Sequence, residues 1–200
     1  SASDEWSARV DAIELRASTP QDIGEALRLI PRRFERYVEI PIAADTTSLV
    51  RAIGDAGAYA KVRTGGTSAD AFPTGADLAR FLATCAKERV PFKATAGLHH
   101  PLRGDYPLTY EPGGSLGRMY GFLNVFLAGA FLSAGMTEVD ARELLEEHEP
   151  GAIRFDSHGV TWRGRRLTTE QLLASRTIVR SFGSCSFREP IDDLAEIGLL

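Results

Sequence analysis

Two short stretches decide the fold: YAKVRTGG at residues 59–66 and FKATAG at residues 92–97. In both, apolar and polar residues alternate before a glycine, which is the pattern of a β-strand that ends in a turn. Residues 74–89 lie between them and repeat apolar residues at helical spacing, with Leu78 and Leu82 on one face. A helix between two strands favours a parallel crossover, so these stretches predict a β-α-β unit.

The same patterns extend this unit toward the N-terminus. Residues 36–42 alternate between polar and apolar side chains, and residues 46–56 repeat apolar residues at helical spacing before Gly57. Residues 35–100 are therefore predicted to form a β-α-β-α-β core with parallel strands, because each helix is long enough to return the chain to the start of the next strand.

The two flanking segments complete what we interpret as one α/β domain. Residues 1–34 are predicted to be helical, and residues 101–200 to be a mainly helical part with a hairpin at 153–163. A fourth parallel strand is predicted at either 153–155 or 177–182. The predicted elements outside the core are helices at 4–17, 19–30, 119–134, 137–147, 168–180 and 190–197, with a Pro- and Gly-rich loop at 99–118.

The composition is that of a folded protein with an acidic charge balance. The 200 residues include 23 Lys and Arg against 27 Asp and Glu, a formal net charge of −4, and 44% are hydrophobic. This content excludes a disordered chain, and the acidic balance argues against a nucleic-acid partner. The most apolar run, residues 119–134, is too short to span a membrane, so no membrane association is expected. Two cysteines are too few for a disulfide scaffold, which favours a reducing, cytoplasmic compartment.

The predicted strands have one polar face. Because side chains alternate along a strand, Glu39, Lys61, Arg63, Lys93 and Thr95 share this face, while the opposite face is apolar. Parallel sheets are usually covered on both faces, and unpaired buried charge is costly. Two interpretations are open: a structural salt-bridge network in which Glu39 neutralises the cations, or a site near the carboxyl ends of the strands of a barrel.

Lys61 and Lys93 would give such a site its chemistry. Each ammonium disfavours protonation of the other, and burial acts in the same direction. A lysine with a lowered pKa is a neutral amine that can attack a carbonyl carbon and form a Schiff base. The second, protonated lysine supplies the perturbing charge and can assist proton transfer. Glu39 opposes the shift in pKa, so its position relative to each amine is important.

The segments AKVRTGG at 60–66 and FKATAGLH at 92–99 together resemble the two strands of deoxyribose-phosphate aldolases that carry a pair of lysines. The resemblance covers residues 58–99, about a fifth of the chain. It implies a β/α barrel, a lyase that joins or splits aldehydes, Lys61 as the Schiff-base lysine and Lys93 as the lysine that perturbs it. Arg63 and His99 stand where that family has a small hydroxyl residue and an arginine.

These residues and the resemblance predict an aldolase-like lyase that acts on a small, anionic carbonyl compound without a metal or other cofactor. Lys61, Lys93 and Glu39 are the candidate catalytic residues. The alternative is a non-catalytic barrel-like domain that binds an anionic metabolite or forms part of a larger protein. The candidate substrate-binding residues are Arg63, Thr64, Gly65, Thr95, Gly97, His99 and Arg103.

A complete barrel has eight strands, and the sequence predicts only three or four, so the expected fold is an incomplete, TIM-barrel-like arrangement of parallel strands. Three arrangements would cover its polar face. A segment preceding this chain could supply the missing strands, two copies could pair as a homo-oligomer, or the helix at 119–134 could pack on that face.

Two further residue groups have less support from the sequence. His99 and His100 are adjacent and point to opposite faces of a strand, so a shared metal ion is not expected, and His99 is expected to face the cleft as a hydrogen-bonding or acid–base group. Cys185 lies between two serines with no base near it in the sequence, and we interpret it as a small buried residue.

Overall fold

The computed structural model describes residues 9–109, 111 and 113–200, and its strands and helices are numbered in chain order. The strands are β1 (Ala12–Arg16), β2 (Glu35–Glu39), β3 (Tyr59–Arg63), β4 (Phe92–Thr95), β5 (Gly104–Pro107), β6 (Leu116–Met119), β7 (Ile153–Asp156), β8 (Gly159–Trp162), β9 (Arg165–Thr168) and β10 (Val179–Gly183). The helices are α1 (Pro20–Leu29), α2 (Thr47–Asp55), α3 (Gly75–Glu88), α4 (Phe122–Ser133), α5 (Glu138–Leu145), α6 (Thr169–Ser175) and α7 (Arg188–Glu196).

Five of the strands form a parallel sheet in the order β1-β2-β3-β4-β10. One row of register partners crosses the whole sheet through Arg16, Glu39, Lys61, Lys93 and Ser181. Because the strands are parallel, their carboxyl ends all lie at the same end of the sheet. The fold is therefore α/β with a parallel sheet, which confirms the predicted class.

The connection from β4 to β10 is the longest between neighbouring strands of the parallel sheet. It includes the antiparallel pair β5-β6, the helices α4, α5 and α6, and the antiparallel sheet β7-β8-β9. This long connection places the turn after β10 beside the turn after β4, although the two are far apart in the sequence.

Helix α3 shows how the sequence produces the local structure. Thr74 caps its N-terminus by accepting a hydrogen bond from the backbone N–H of Asp77 at 3.1 Å. Leu78 and Leu82 are fully buried on the face that meets the sheet. The helix ends at Arg89, whose φ of 55° is left-handed and stops further helical hydrogen bonding.

The apolar face of the sheet packs against helices. Phe92 of β4 contacts Phe81 of α3 edge to face, with ring centroids 6.0 Å apart. Helix α4 lies on the same face, since a Cβ at Gly129 would be 3.0 Å from both Phe92 and Val179. Of the three arrangements considered for the polar face, the one in which the helix at 119–134 covers it is therefore wrong. An apolar helix gains more by burying its side chains against the apolar face.

The N-terminal segment differs from its prediction. Residues 12–16 form β1, not a helix, and pair in parallel with β2 from Ala12 opposite Glu35 to Arg16 opposite Glu39. Ile13 and Leu15 alternate with Glu14, and this period of two fits a strand. Residues 4–8 of the helix predicted at 4–17 lie outside the described residues. The helix predicted at 19–30 is confirmed as α1.

The predicted loop at 99–118 also contains regular structure. Gly104 pairs with Met119 and Pro107 with Leu116, so β5 and β6 form an antiparallel ribbon. Met119 belongs to that ribbon, and the apolar helix begins only at Phe122. Positions 110 and 112 of the predicted loop lie outside the described residues.

The last part of the chain has more strand than predicted. The hairpin at 153–163 is confirmed and gains a third strand, β9. The helix predicted at 168–180 ends at Ser175, because the chain then enters the parallel sheet as β10 beside β4. The alternative fourth strand at 177–182 is thus confirmed, while 153–155 pairs in the antiparallel sheet. Within the part of the chain that the structure describes, no helix is long and apolar enough to cross a membrane.

Candidate functional site

Lys61 and Lys93 lie side by side on the polar face of the sheet. They are register partners on β3 and β4, and their side chains are only 12% and 23% exposed. Both amines therefore project from neighbouring strands onto one sheltered surface, as the alternation of the sequence indicates.

Glu14 of β1 bridges the two amines. Its Oε2 accepts a hydrogen bond from Lys61 Nζ at 2.6 Å, and its Oε1 accepts one from Lys93 Nζ at 2.7 Å. Glu39 adds a second carboxylate, with Oε2 at 2.9 Å from Lys61 Nζ and Oε1 at 2.7 Å from Arg16 Nε. This arrangement is a salt-bridge network, the first of the two interpretations of the polar face.

The network changes the expected chemistry of Lys61. Burial lowers the pKa of this amine, but its hydrogen bonds to Glu14 and Glu39 outweigh burial and raise the pKa above its ordinary value. The expected lowering of the Lys61 pKa is therefore wrong. Burial also opposes the shift of Glu14, whose contacts with Lys61 and Lys93 nevertheless hold its pKa below the usual range. Lys61 is protonated at neutral pH, and nucleophilic attack would first require an ion pair to break.

A second group of charges lies nearer the amino ends of the strands. Glu35 accepts a hydrogen bond from the hydroxyl of Tyr37 at 2.8 Å and pairs with Arg180 of β10 at 2.7 Å. Burial, followed by the hydrogen bond to Glu35, raises the pKa of Tyr37 to about 12. The guanidinium of Arg180 also lies 5.4 Å from the centre of the Tyr59 ring. The charged face is thus connected from β2 to β10.

Arg63 differs from the other cations of this face. It is the last residue of β3 and is exposed at the carboxyl end of the sheet. Arg16, Lys61, Lys93 and Arg180 each pair with a carboxylate, whereas no ion pair of Arg63 is found within residues 9–109, 111 and 113–200.

A cavity of about 560 Å³ lies at the carboxyl ends of β3, β4 and β10. This volume is within the range of roughly 300–1,000 Å³ that is usual for small-molecule sites, and ligands of α/β proteins commonly bind beyond the carboxyl ends of parallel strands. Pro107 and Met119 of the β5-β6 ribbon, with Leu108 directly after β5, form an apolar wall. The polar lining includes Arg63, Thr67, His99, His100, Ser184, Cys185 and Glu189.

The turn after β4 shapes one side of this cavity. Ala96 and Gly97 both have left-handed backbone, with φ of 67° and 71°. A Cβ at Gly97 would lie 3.1 Å from the ring of Phe72, so a side chain here would meet both backbone strain and close contact. Gly97 and His99, two of the candidate substrate-binding residues, line the cavity.

Other predicted binding residues have mainly structural contacts. Thr64 is fully buried and donates a hydrogen bond to the carbonyl of Ala96 at 2.6 Å, which ties together the turns after β3 and β4. Gly65 lies against Phe72, where a Cβ would be 2.5 Å from the ring. The hydroxyl of Thr95 lies 3.4 Å from the carbonyl of Val62. The contacts of these residues are therefore with β3, with the turn after β4 and with Phe72.

Arg103 lies outside the lining of the cavity. Its Nε is 2.6 Å from Glu146, its guanidinium lies 4.1 Å from the centre of the Tyr120 ring, and its side chain is only 11% exposed. The structure therefore gives Arg103 an intramolecular carboxylate in place of the anionic substrate predicted for it.

The two histidines hold helix α7 beside the cavity. Nδ1 of His99 is 2.9 Å from Glu189, and Nδ1 of His100 is 2.6 Å from Asp193. The ring of His100 also stacks on Tyr106 at 3.5 Å between centroids. In the described ranges, no three or more His, Cys, Asp and Glu side chains form a group that could hold a metal ion.

Sequence reasoning missed three residues of this region. Glu14 was missed because its segment was assigned to a helix, and the alternation of residues 12–16 was the signal that could have placed it. Cys185, expected to be buried, is exposed. Its sulfur lies 3.5 Å from Nε2 of His99, a residue 86 positions earlier in the chain. Glu189 reaches the same histidine from α7. Local sequence holds no signal for either contact.

Comparison with protein-family models, with curated proteins and with solved structures finds no match to this chain.

Proposed function

We propose that this chain binds a small anionic molecule in the cavity at the carboxyl ends of β3, β4 and β10. The observation that carries the proposal is the contrast between Arg63 and the other cations of the sheet. Those cations are neutralised by carboxylates of the chain, while Arg63 lines the cavity. A guanidinium binds a carboxylate or phosphate through two parallel hydrogen bonds, which favours these anions as ligands.

The rest of the cavity indicates the shape of such a ligand. The anionic group would lie at Arg63, and an apolar portion would contact the wall formed by Pro107, Leu108 and Met119. We also propose that the five parallel strands correspond to a segment of a β/α barrel. Their consecutive order from β1 to β4 and the position of the cavity support this view.

Thermal unfolding in the presence of inorganic phosphate, acetate or a short-chain dicarboxylate tests the binding proposal. We expect a rise in Tm with ligand concentration, because a ligand that binds only the folded state stabilises it. Arg63→Gln should lose the rise, whereas Arg33→Gln, at an arginine outside the cavity, should keep it. The same rise in Tm with Arg63→Gln, or no rise for the unaltered protein, would overturn the proposal.

A second candidate function is that of an aldolase-like lyase with Lys61 as the Schiff-base amine. Its specific support is the register pairing of Lys61 with Lys93 on one sheltered face. Lys61 precedes Arg63 by two residues on β3, and Lys93 is paired with Lys61 on β4. Both amines therefore lie nearer the amino ends of the strands than Arg63 does. A carbonyl substrate held at Arg63 would therefore have to reach past this residue and displace a carboxylate from Lys61.

Borohydride reduction in the presence of small aldehydes and ketones, followed by mass spectrometry, tests this second function. A covalent adduct on Lys61 is the expected product, and Lys61→Arg should abolish it. Glu14→Gln should increase its yield, because loss of that carboxylate removes one of the contacts that raise the Lys61 pKa. No adduct in either the unaltered protein or Glu14→Gln would reject the lyase.

A further inference from the structure

His99 and Cys185 meet at the cavity from two neighbouring strands. His99 follows the turn after β4, and Cys185 follows β10. The sulfur of Cys185 is 3.5 Å from Nε2 and 3.8 Å from Nδ1 of the imidazole. Because these two distances are nearly equal, the sulfur lies off the in-plane axis of the Nε2 lone pair. The thiol must therefore rotate into line with Nε2 before its proton can pass to that nitrogen.

Glu189 determines which nitrogen of His99 carries the hydrogen. Its carboxylate is 2.9 Å from Nδ1, and because a carboxylate can only accept, Nδ1 carries the hydrogen of this bond. Nε2 is then the basic nitrogen of a neutral imidazole, and it is the nitrogen nearer to the sulfur. The hydroxyl of Ser184 also lies near Nδ1, at 3.4 Å. Cys185, His99 and Glu189 are thus arranged as a nucleophile, a base and a carboxylate that orients the base. Enzymes that use covalent catalysis have the same arrangement.

The two cysteines of the chain have contrasting surroundings. Cys85 is fully buried on α3, and burial raises its pKa far above the ordinary value. Cys185 is exposed, lies beside an imidazole and lines a cavity large enough for a small substrate. Only the second position allows an electrophile to reach the sulfur.

We propose that Cys185, His99 and Glu189 form a nucleophilic site for acyl transfer from a small ester or thioester. His99 Nε2 takes the thiol proton while the sulfur attacks the carbonyl carbon, and the new C–S bond forms as the C–O or C–S bond of the substrate breaks. The leaving alcohol or thiol receives the proton from His99. Water, deprotonated by the same nitrogen, then hydrolyses the enzyme thioester, releasing the acid and restoring the thiol.

This inference rests on the proposed function in one respect, namely that the substrate occupies the cavity beside Arg63. The product of the hydrolysis is a carboxylate, which is the class of anion that Arg63 favours. Cys185 and His99 would touch the substrate, whereas Glu189 acts through His99 as a positioning residue.

Alkylation by iodoacetamide, followed by mass spectrometry, tests the thiol directly. We expect modification of Cys185 and none of Cys85 in the folded chain. Because His99 is the base that takes up the thiol proton, its loss in His99→Ala should slow alkylation about tenfold or more. His99→Asn serves as a second variant should the alanine variant misfold, and His158→Ala, on the exposed β7-β8 turn, should alkylate at the original rate. An equal rate with both His99 variants would overturn the assignment of His99 as the base.

Hydrolysis of p-nitrophenyl acetate tests the reaction. Cys185→Ser should reduce turnover about a hundredfold or more. Glu189→Gln should lower kcat about tenfold with KM unchanged, because this carboxylate orients the base without holding the substrate. Turnover that persists in Cys185→Ser would reject the acyl-transfer site. The anion-binding proposal and the acyl-transfer proposal can fail separately. The first is tested by the effect of phosphate on Tm in Arg63→Gln, and the second by alkylation and turnover.

Discussion

Glu14 can be tested as the residue that holds the two lysines together. In Glu14→Gln the carboxylate charge that both amines contact is lost, and the amide oxygen can accept from only one of them in the same geometry. Charge-assisted hydrogen bonds contribute about 1.5–3 kcal/mol each when buried. The Glu14 side chain is 37% exposed, so solvent screens both contacts and we expect a total loss of about 1–2 kcal/mol in the free energy of unfolding.

The pH dependence of this loss gives a second test. The pKa of Glu14 is lower in the folded chain than its ordinary value of 4.5, so its stabilising contribution is complete above that pH. The contribution disappears as the pH falls through the folded-state value. The pKa of Lys61 is raised above 10.5, so its contribution is complete below that pH and is lost as the pH rises through the folded-state value. The difference between the unaltered protein and Glu14→Gln should therefore be largest between these limits.

Urea unfolding followed by circular dichroism measures both effects. Asp11→Asn is the matched control, because Asp11 forms its ion pair with Arg9 on the open surface, at 63% and 85% exposure. That control should change the free energy of unfolding by less than about 0.5 kcal/mol. Equal stability of Glu14→Gln and the unaltered protein near neutral pH, or a difference that does not shrink on acidification, would refute the account of the network.

Three other predictions concern buried positions in the fold, and urea unfolding measures each. Arg36→Met should lower the free energy of unfolding by about 3 kcal/mol, because this buried guanidinium donates to the carbonyls of Leu27, Ala56 and Gly57. Asn124→Leu should cost a similar amount, about 3 kcal/mol, since the amide joins α4 to the carbonyls of Leu144 and Glu147. Gly97→Ala should cost about 1–3 kcal/mol and more than Gly135→Ala, because both have positive φ but only the first would contact a neighbour.

The polar face of the sheet could be predicted from the sequence because it follows from a local rule. Alternation along each strand is sufficient to place Glu39, Lys61 and Lys93 on one side. The carboxylate that pairs with both lysines comes from the strand at the edge of the sheet, so it cannot be named until that strand is known. Glu14 reaches the two lysines because residues 12–16 form a strand beside β2. With that carboxylate included, the direction of the Lys61 pKa shift reverses, because a bridging anion opposes the repulsion between two ammonium groups.

The position of β10 explains why the cavity could be predicted only in part. Gly183 is the register partner of Thr95, so the chain leaves β10 directly beside the point where it leaves β4. Cys185 follows Gly183 by two positions and His99 follows Thr95 by four, and the left-handed turn at Ala96 and Gly97 takes up the difference. The contact between thiol and imidazole thus depends on strand order, register and one turn together. The pattern of the sequence indicates a strand near 177–182, but it contains no information on which neighbour that strand pairs with. A shift of the register by one residue would turn every side chain of β10 to the opposite face, and with it the direction in which Cys185 leaves the sheet.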